Sequence, residues 1–443
     1  MKALFFFSML FLPVDGWPLG AAFLREFGVR PTNFFLLLLL PLIIIGNLKH
    51  SSLAIAIHRG FSKNILLIFI FLLILNISFI LIKFLASSID SIQATKGFLQ
   101  FLLVLWFFTS LKLWTFLFDR LKIWSVGYGF FISCLMFCVF VNLCFFGLDF
   151  YNSKVSELPV INEILFFFRG EHDVRTSGLS SEPSTYASWA LLVWPLLIFP
   201  NVIKISKTLY LISLMLGIAS LFAALISGSR TFLLVFAIQM AIFLIVILVN
   251  RVRNKIIIVS TFFCTVVVIS SVFFNDLNIY VDKFISILDL ESNYSSITRL
   301  GSALAAFNMF LDNWLLGVGI GQFTYSYSHY VPDWALASPE VMGYVAGDIK
   351  QRINAFNLFL RIGAELGLIA FLLFAYFILD VVLDAFRLIK RALNDQLWLI
   401  GVVLAFIGGV SYWMQQDLFS YQPGIFSIAL VIYLSSVNSS QSH

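Results

Sequence analysis

Charge is what this sequence has least of. Only 12% of its 443 residues are Asp, Glu, Lys or Arg, about half the share that keeps the surface of a soluble domain wetted. That deficit excludes an ordinary water-soluble globule. With 60% apolar residues and a mean hydropathy of +0.98, the solvent for this chain is lipid. Cysteine is scarce as well. Cys134, Cys138, Cys144 and Cys264 all fall inside apolar runs, so no disulfide framework braces a polar loop, and the four are expected to be packing residues. Cys134 and Cys138 are one helical turn apart, but two thiols without a nearby His or carboxylate make a poor metal site. The net charge of +5 does not by itself indicate a nucleic-acid partner, and none is expected. In a membrane protein its sign records where the cytoplasmic loops lie.

What the sequence has in abundance is Phe, with 51 copies, which suits helices that face acyl chains. About twelve apolar segments follow one another, near 3–13, 32–47, 64–84, 97–118, 124–147, 185–200, 208–226, 231–250, 255–274, 354–379, 396–413 and 418–436. Most approach the roughly 20 residues that cross a bilayer as a helix, the one open-chain structure that satisfies its own backbone there. The expected fold is therefore all-α and polytopic. Lys2 and the run Ala3–Leu12 also resemble a signal peptide, although no clear small-x-small cleavage site precedes Asp15 and Gly16.

Lys and Arg orient the chain. Lys49, Arg59, Lys63, Arg120, Lys122, Lys204, Lys207, Arg251, Arg253, Lys255, Arg387, Lys390 and Arg391 fall in connections on one side, which is then cytoplasmic. Both termini lie inside in this reading, and two long loops, 148–184 and 275–353, lie outside. Nothing out there offers ATP, so a synthesis on that face must use a substrate that carries its own leaving group.

Candidate functional residues gather on the outer side. The first long loop holds Arg169, Glu171, His172, Asp173 and Arg175, then Gly178 and Glu182-Pro183. Pro183 suits the first turn of a helix and Glu182 the positive end of its dipole, so a plain helix start explains much of this pattern. Arg230 follows Ser227-Gly-Ser. It can snorkel to the headgroups, or present a forked donor to phosphate oxygens. Lys350, Asn354, Asn357, Arg361 and Glu365 are spaced 4, 3, 4 and 4, which on a continuous helix gives one polar face descending into the membrane. Charges at that depth cost about 3 kcal/mol each on insertion scales, so they should face protein or a wet cavity. An Arg361–Glu365 pair that neutralises itself is the simpler explanation of two of them. Arg352 is a further cation at the head of that segment. Arg299 is expected just before an amphipathic helix at 300–311, and Gly317, Gly319 and Gly321 follow it. The glycines lack the preceding strand of a nucleotide loop and lie on the wrong side for one. They fit a tight turn against the membrane beneath a lid-like loop. His329 is a candidate base, although a lone loop His is more often solvated.

Taken together, Arg175-x-x-Gly178 with Glu182-Pro183, Ser229-Arg230-Thr231, Arg299 ahead of Leu315–Phe323, and Asn357-x-x-Leu360 with Ala364–Ala370 resemble the O-antigen ligase and polymerase superfamily over roughly residues 165–380. The resemblance implies a multi-span bacterial inner-membrane transferase that takes an undecaprenyl-diphosphate-linked glycan from the outer leaflet and needs no metal or other cofactor. It also implies a chain-length regulator protein as a partner. Arg230 and Arg299 match the family's arginines. With Glu182 and Glu365 as candidate proton acceptors they form the expected catalytic set, and Arg175, Arg352, Asn354, Asn357, Arg361 and His329 form the expected substrate-binding set. The ligases carry a His directly before the Asn of the tenth-span motif. Phe356 stands there, which favours a polymerase over a ligase and leaves the general base unassigned. A lipid-linked oligosaccharide transporter is the distant alternative. It would need charges lining a path through the bilayer and, often, two similar halves, and no repeat is visible.

Overall fold

A computed structural model describes residues 1–41, 63–86, 89–154, 158–169, 176–249, 294–347, 353–393, 396 and 398–437. Every element among them is an α-helix or a short 3-10 turn. Among the described residues, five helices are long and apolar enough to cross a membrane: Ser91–Leu121, Tyr128–Ser153, Lys207–Ile226, Arg230–Ile247 and Leu358–Ala392. Shorter apolar helices at Thr32–Pro41, Phe71–Leu85, Trp398–Met414 and Gln422–Val437 pack among them. The chain is a polytopic helical membrane protein. The expected segment 255–274 lies outside the described residues, as does 42–47, the end of the expected segment 32–47. The first segment forms the helix Lys2–Leu10, whose nine residues reach roughly 14 Å, about half a hydrocarbon core. Its Phe5 and Met9 are fully buried.

The centre of the bundle is Pro183–Ile198, with fourteen of its sixteen residues buried. Glu182 is its N-cap and Pro183 opens the first turn, as the sequence predicts. Pro195 sits inside this helix and has no N–H to give the carbonyl of Leu191. Gln239 of Arg230–Val249 supplies the missing donor, with Nε2 2.9 Å from Leu191 O and 2.7 Å from Leu404 O, and its Oε1 accepts from Trp194 Nε1 at 3.0 Å. A buried amide thus repairs a proline break where no water is at hand. Cys134 and Cys138 are buried, whereas Cys144 is exposed on its helix, so only the first two serve as packing residues among the described cysteines.

The connections sort to two ends. At one end, Trp124 packs on Trp398 (centroids 5.1 Å apart), Lys204 Nζ donates to Trp124 O, Asn201 N donates to Tyr128 Oη (2.7 Å), and Arg391 reaches Leu434 O (3.3 Å). These are the connections rich in Lys and Arg. At the other end, Ser181 N donates to Asp15 Oδ1 (2.6 Å), Arg30 Nη1 to Ser420 Oγ (2.6 Å), Lys96 Nζ to Thr324 Oγ1 (2.8 Å), and Ala355 N to Asp417 Oδ2 (2.8 Å). A second, smaller core covers that end. It includes Ile297, Ala305, Met309, Phe323, Tyr327, Val341, Ile353 and Ala364, drawn largely from the helices Tyr294–Asp312, Phe323–Tyr330 and Pro339–Ala346.

Candidate functional site

The site is built around a break in the Leu358–Ala392 helix. Gly367 has φ 79° and ψ −177°, so two helices meet there at an angle. The break lies nine residues, or roughly 14 Å, from the helix start. Helical bonds are exchanged for loop bonds around it. Leu368 N, which would donate to Ala364 O, donates instead to Trp314 O (2.7 Å); Ala364 O accepts from Val318 N (2.9 Å) and Glu365 O from Gly319 N (3.1 Å). The glycine-bearing segment therefore runs against opened helix backbone, a geometry tolerated at depth only where protein satisfies it. Contact this close excludes side chains. A Cβ on Gly317 would lie 2.3 Å from Glu365 C, and one on Gly367 would lie 2.3 Å from Leu315 O. Asn76 staples the arrangement: its Oδ1 accepts from Ile320 N (2.7 Å) and its Nδ2 donates to Leu316 O (3.0 Å).

One turn above the break lies a buried charge centre. Arg361 Nε is 3.3 Å from Glu365 Oε1 and Nη1 is 3.4 Å from Asp417 Oδ2; Nη1 also donates to Asp417 O (3.1 Å). Glu365 Oε1 accepts from Phe323 N (3.2 Å). Arg361, Glu365 and Asp417 are 7%, 2% and 1% exposed, so solvent does little to screen them. Asp417 lies in the turn between the last two helices, where burial pushes its carboxyl above the usual range against the pull of Arg361 and the Ala355 hydrogen bond. Lys96 and Gln100 stand on the Ser91–Leu121 helix. Gln100 Nε2 donates to Glu26 Oε2 (2.7 Å), and the Glu26 charge is felt by both Arg361 and Asp417.

The expected polar stripe is only half a helix. Asn357 is the N-cap, and its Oδ1 accepts from Leu360 N at 3.1 Å, a role Asn fills well. The helix thus begins at Leu358, and Asn354 belongs to a strap that precedes it, tied to Gln416 (Nδ2 to Oε1, 3.3 Å). Phe356 holds φ +52°, which rules out a helix continuous with the preceding residues. Arg299 lies inside the helix Tyr294–Asp312 rather than before it. Its guanidinium carbon stands 5.7 Å from the centroid of the Phe356 ring, within cation–π range.

Of the other candidates, Arg230 opens the helix Arg230–Val249 and is half-buried. Glu182 is exposed, accepting from Ser184 Oγ (3.0 Å). His329 is exposed in the last turn of Phe323–Tyr330, roughly 9 Å along that helix from the Phe323 N–H bound to Glu365. Arg175, Arg352 and Lys350 lie outside the described residues. The structure therefore gathers Asn354, Asn357, Arg361 and Glu365, with Arg299 above Phe356. It adds Asp417, Glu26, Lys96 and Asn76, which the sequence reading passed over. The signal for Asp417 was present: Gln415-Gln416-Asp417 is a polar triplet between two apolar spans.

Residues 215–375 match the profile of the O-antigen ligase family. The matched segment holds Arg230, Arg299, the glycine strap and the broken helix with Arg361 and Glu365, and supports placement of the chain in the O-antigen ligase and polymerase superfamily. No curated protein matches the chain.

Proposed function

We propose that this protein polymerises lipid-diphosphate-linked oligosaccharide repeat units into a surface polysaccharide at the periplasmic face of a bacterial inner membrane. The observation that carries this reading is the buried Arg361–Glu365–Asp417 centre at the end of the bundle opposite the Lys- and Arg-rich connections, largely inside the segment matched to the O-antigen ligase family. Members of that family act on O-antigen. Phe356, in the place where the resembled ligases carry a His, favours the polymerase.

In this mechanism, fixed positive charge from Arg230 and Arg299, together with Arg175, holds the diphosphate of the donor. A hydroxyl of a second lipid-linked unit attacks the anomeric carbon. The new glycosidic C–O bond forms as the bond to the diphosphate breaks, and the lipid diphosphate departs with the bonding electron pair. The proton of the hydroxyl passes to a carboxylate, Glu182 or Glu365. Arg361, already held by two carboxylates, sets the charge around Glu365. A chain-length regulator is the expected protein partner. The test is a gel of surface polysaccharide from a deletion strain carrying each variant. Loss of a polymerase leaves single repeat units on the lipid core, loss of a ligase leaves long lipid-linked polymer, and loss of a transporter leaves no surface glycan. Wild-type ladders from both Arg230→Ala and Arg299→Ala would sink this reading.

A further inference from the structure

Residues 353–357 connect the small outer core to the broken helix, and they are over-determined. Ile353 and Ala355 are buried, Ala355 N donates to Asp417 Oδ2 at 2.8 Å, Asn354 is tied to Gln416, and Asn357 is spent on its cap. Between these anchors Phe356 is forced to φ +52°, a region that an aromatic residue enters only when its surroundings compel it. The forced turn sets its ring 5.7 Å from the guanidinium of Arg299. Asp417, fully buried and 62 residues away in sequence, is thus two residues removed from the platform on which Arg299 rests.

We propose that Asp417 is a positioning residue: by accepting the Ala355 N–H it fixes Phe356 in its left-handed turn, and Phe356 in turn sets where Arg299 presents its charge to the phosphorylated donor. The chemistry served is recognition of a diphosphate leaving group, and this inference rests on the transferase reading above. Strain at 356 is not incidental in this arrangement. It is the means by which a buried acid at the last hairpin controls a cation on the outer helix.

The test is a mutant cycle in full-length protein, reconstituted with the lipid-diphosphate-linked repeat unit that a deletion strain accumulates. Asp417→Ala and Phe356→Leu are each made alone and combined with Arg299→Ala, with turnover and donor KM measured. Each single variant is expected to lose about tenfold or more in kcat/KM, and each double variant to be no worse than Arg299→Ala alone, because both act through that arginine. Asp417→Asn keeps an oxygen for the Ala355 N–H and should recover most of the loss, which a purely structural role through charge would not predict. Phe356→Leu reads the same link without touching the buried acid should Asp417→Ala fail to accumulate. Losses that multiply in either double variant overturn the proposal while leaving the transferase reading intact. Full activity of Arg299→Ala also overturns the proposal, and the transferase reading falls with it only when Arg230→Ala is fully active as well, so the two failures are separable.

Discussion

Arg361 lies 3.4 Å from Asp417, across 56 residues of chain, and 3.3 Å from Glu365 on its own helix. One guanidinium therefore serves two buried carboxylates, and the three members are not equivalent. Removing the arginine strands both acids away from water, a loss that costs about 3–5 kcal/mol when one partner of a buried pair is deleted. Replacing Glu365 with Gln leaves Arg361 its bonds to Asp417 and leaves Phe323 N an oxygen to donate to. Arg361→Met is expected to lower the melting temperature in detergent clearly more than Glu365→Gln. Equal losses would show that the centre is solvated rather than buried.

Gly317 and Gly367 approach opposed backbone so closely that any side chain must displace it, and both hold positive φ. Gly367→Ala adds a steric clash with Leu315 O at a backbone conformation, φ 79° and ψ −177°, that is essentially confined to glycine, and Gly317→Ala adds a clash with Glu365 to a positive-φ strain of about 1–2 kcal/mol. Both are expected to reduce membrane accumulation strongly. Gly347, whose Cβ would meet nothing within 4 Å but whose φ is also positive, separates the two causes: Gly347→Ala should show the strain alone and be markedly milder.

How much of this was legible beforehand follows from the range of each signal. Apolar runs locate most helices because lipid sorts residues one segment at a time, and the i,i+4 pair of Arg361 and Glu365 is local enough to read from spacing. Asp417 is not, because its partner is determined by how the last hairpin docks. Asn354 and Asn357 match a helical period, yet the second of them ends that period by capping the helix, and competition between cap and continuation is decided by tertiary contacts at 355 and 356. Gly367 reads as one more small residue in a span, and only the loop segment Trp314–Gly319 that packs against it reveals a break.

Burial raises the carboxyls of Asp417 and Asp15, both outside the spanning helices. Asp15 is opposed by Arg30 and by the Ser181 hydrogen bond, and Asp417 by Arg361. A raised acid binds its proton more tightly when folded, so its contribution to stability is fully present below the unfolded value of about 3.9 and is lost as pH rises through the folded value. Asp417→Asn should therefore flatten the pH dependence of the melting temperature above pH 4, with wild type gaining stability relative to it as pH falls. A wild-type profile parallel to that of Asp417→Asn would refute the burial argument.

The two ends of the bundle give the sharpest check on orientation. Ser328, on the helix that follows the glycine strap, and Ser125, in the turn beside Trp124, are both exposed and lie in the two opposed groups of connections. In a background where Cys134, Cys138, Cys144 and Cys264 are replaced by Ala or Ser, Ser328→Cys should react with a membrane-impermeant maleimide in intact spheroplasts. Ser125→Cys should react only after lysis, because Lys122 and Lys204 place its end on the positively charged, cytoplasmic side. The reverse pattern would put the Arg361 centre against the cytosol, where no outer-leaflet donor could reach Arg299, and the proposed chemistry would lose its substrate.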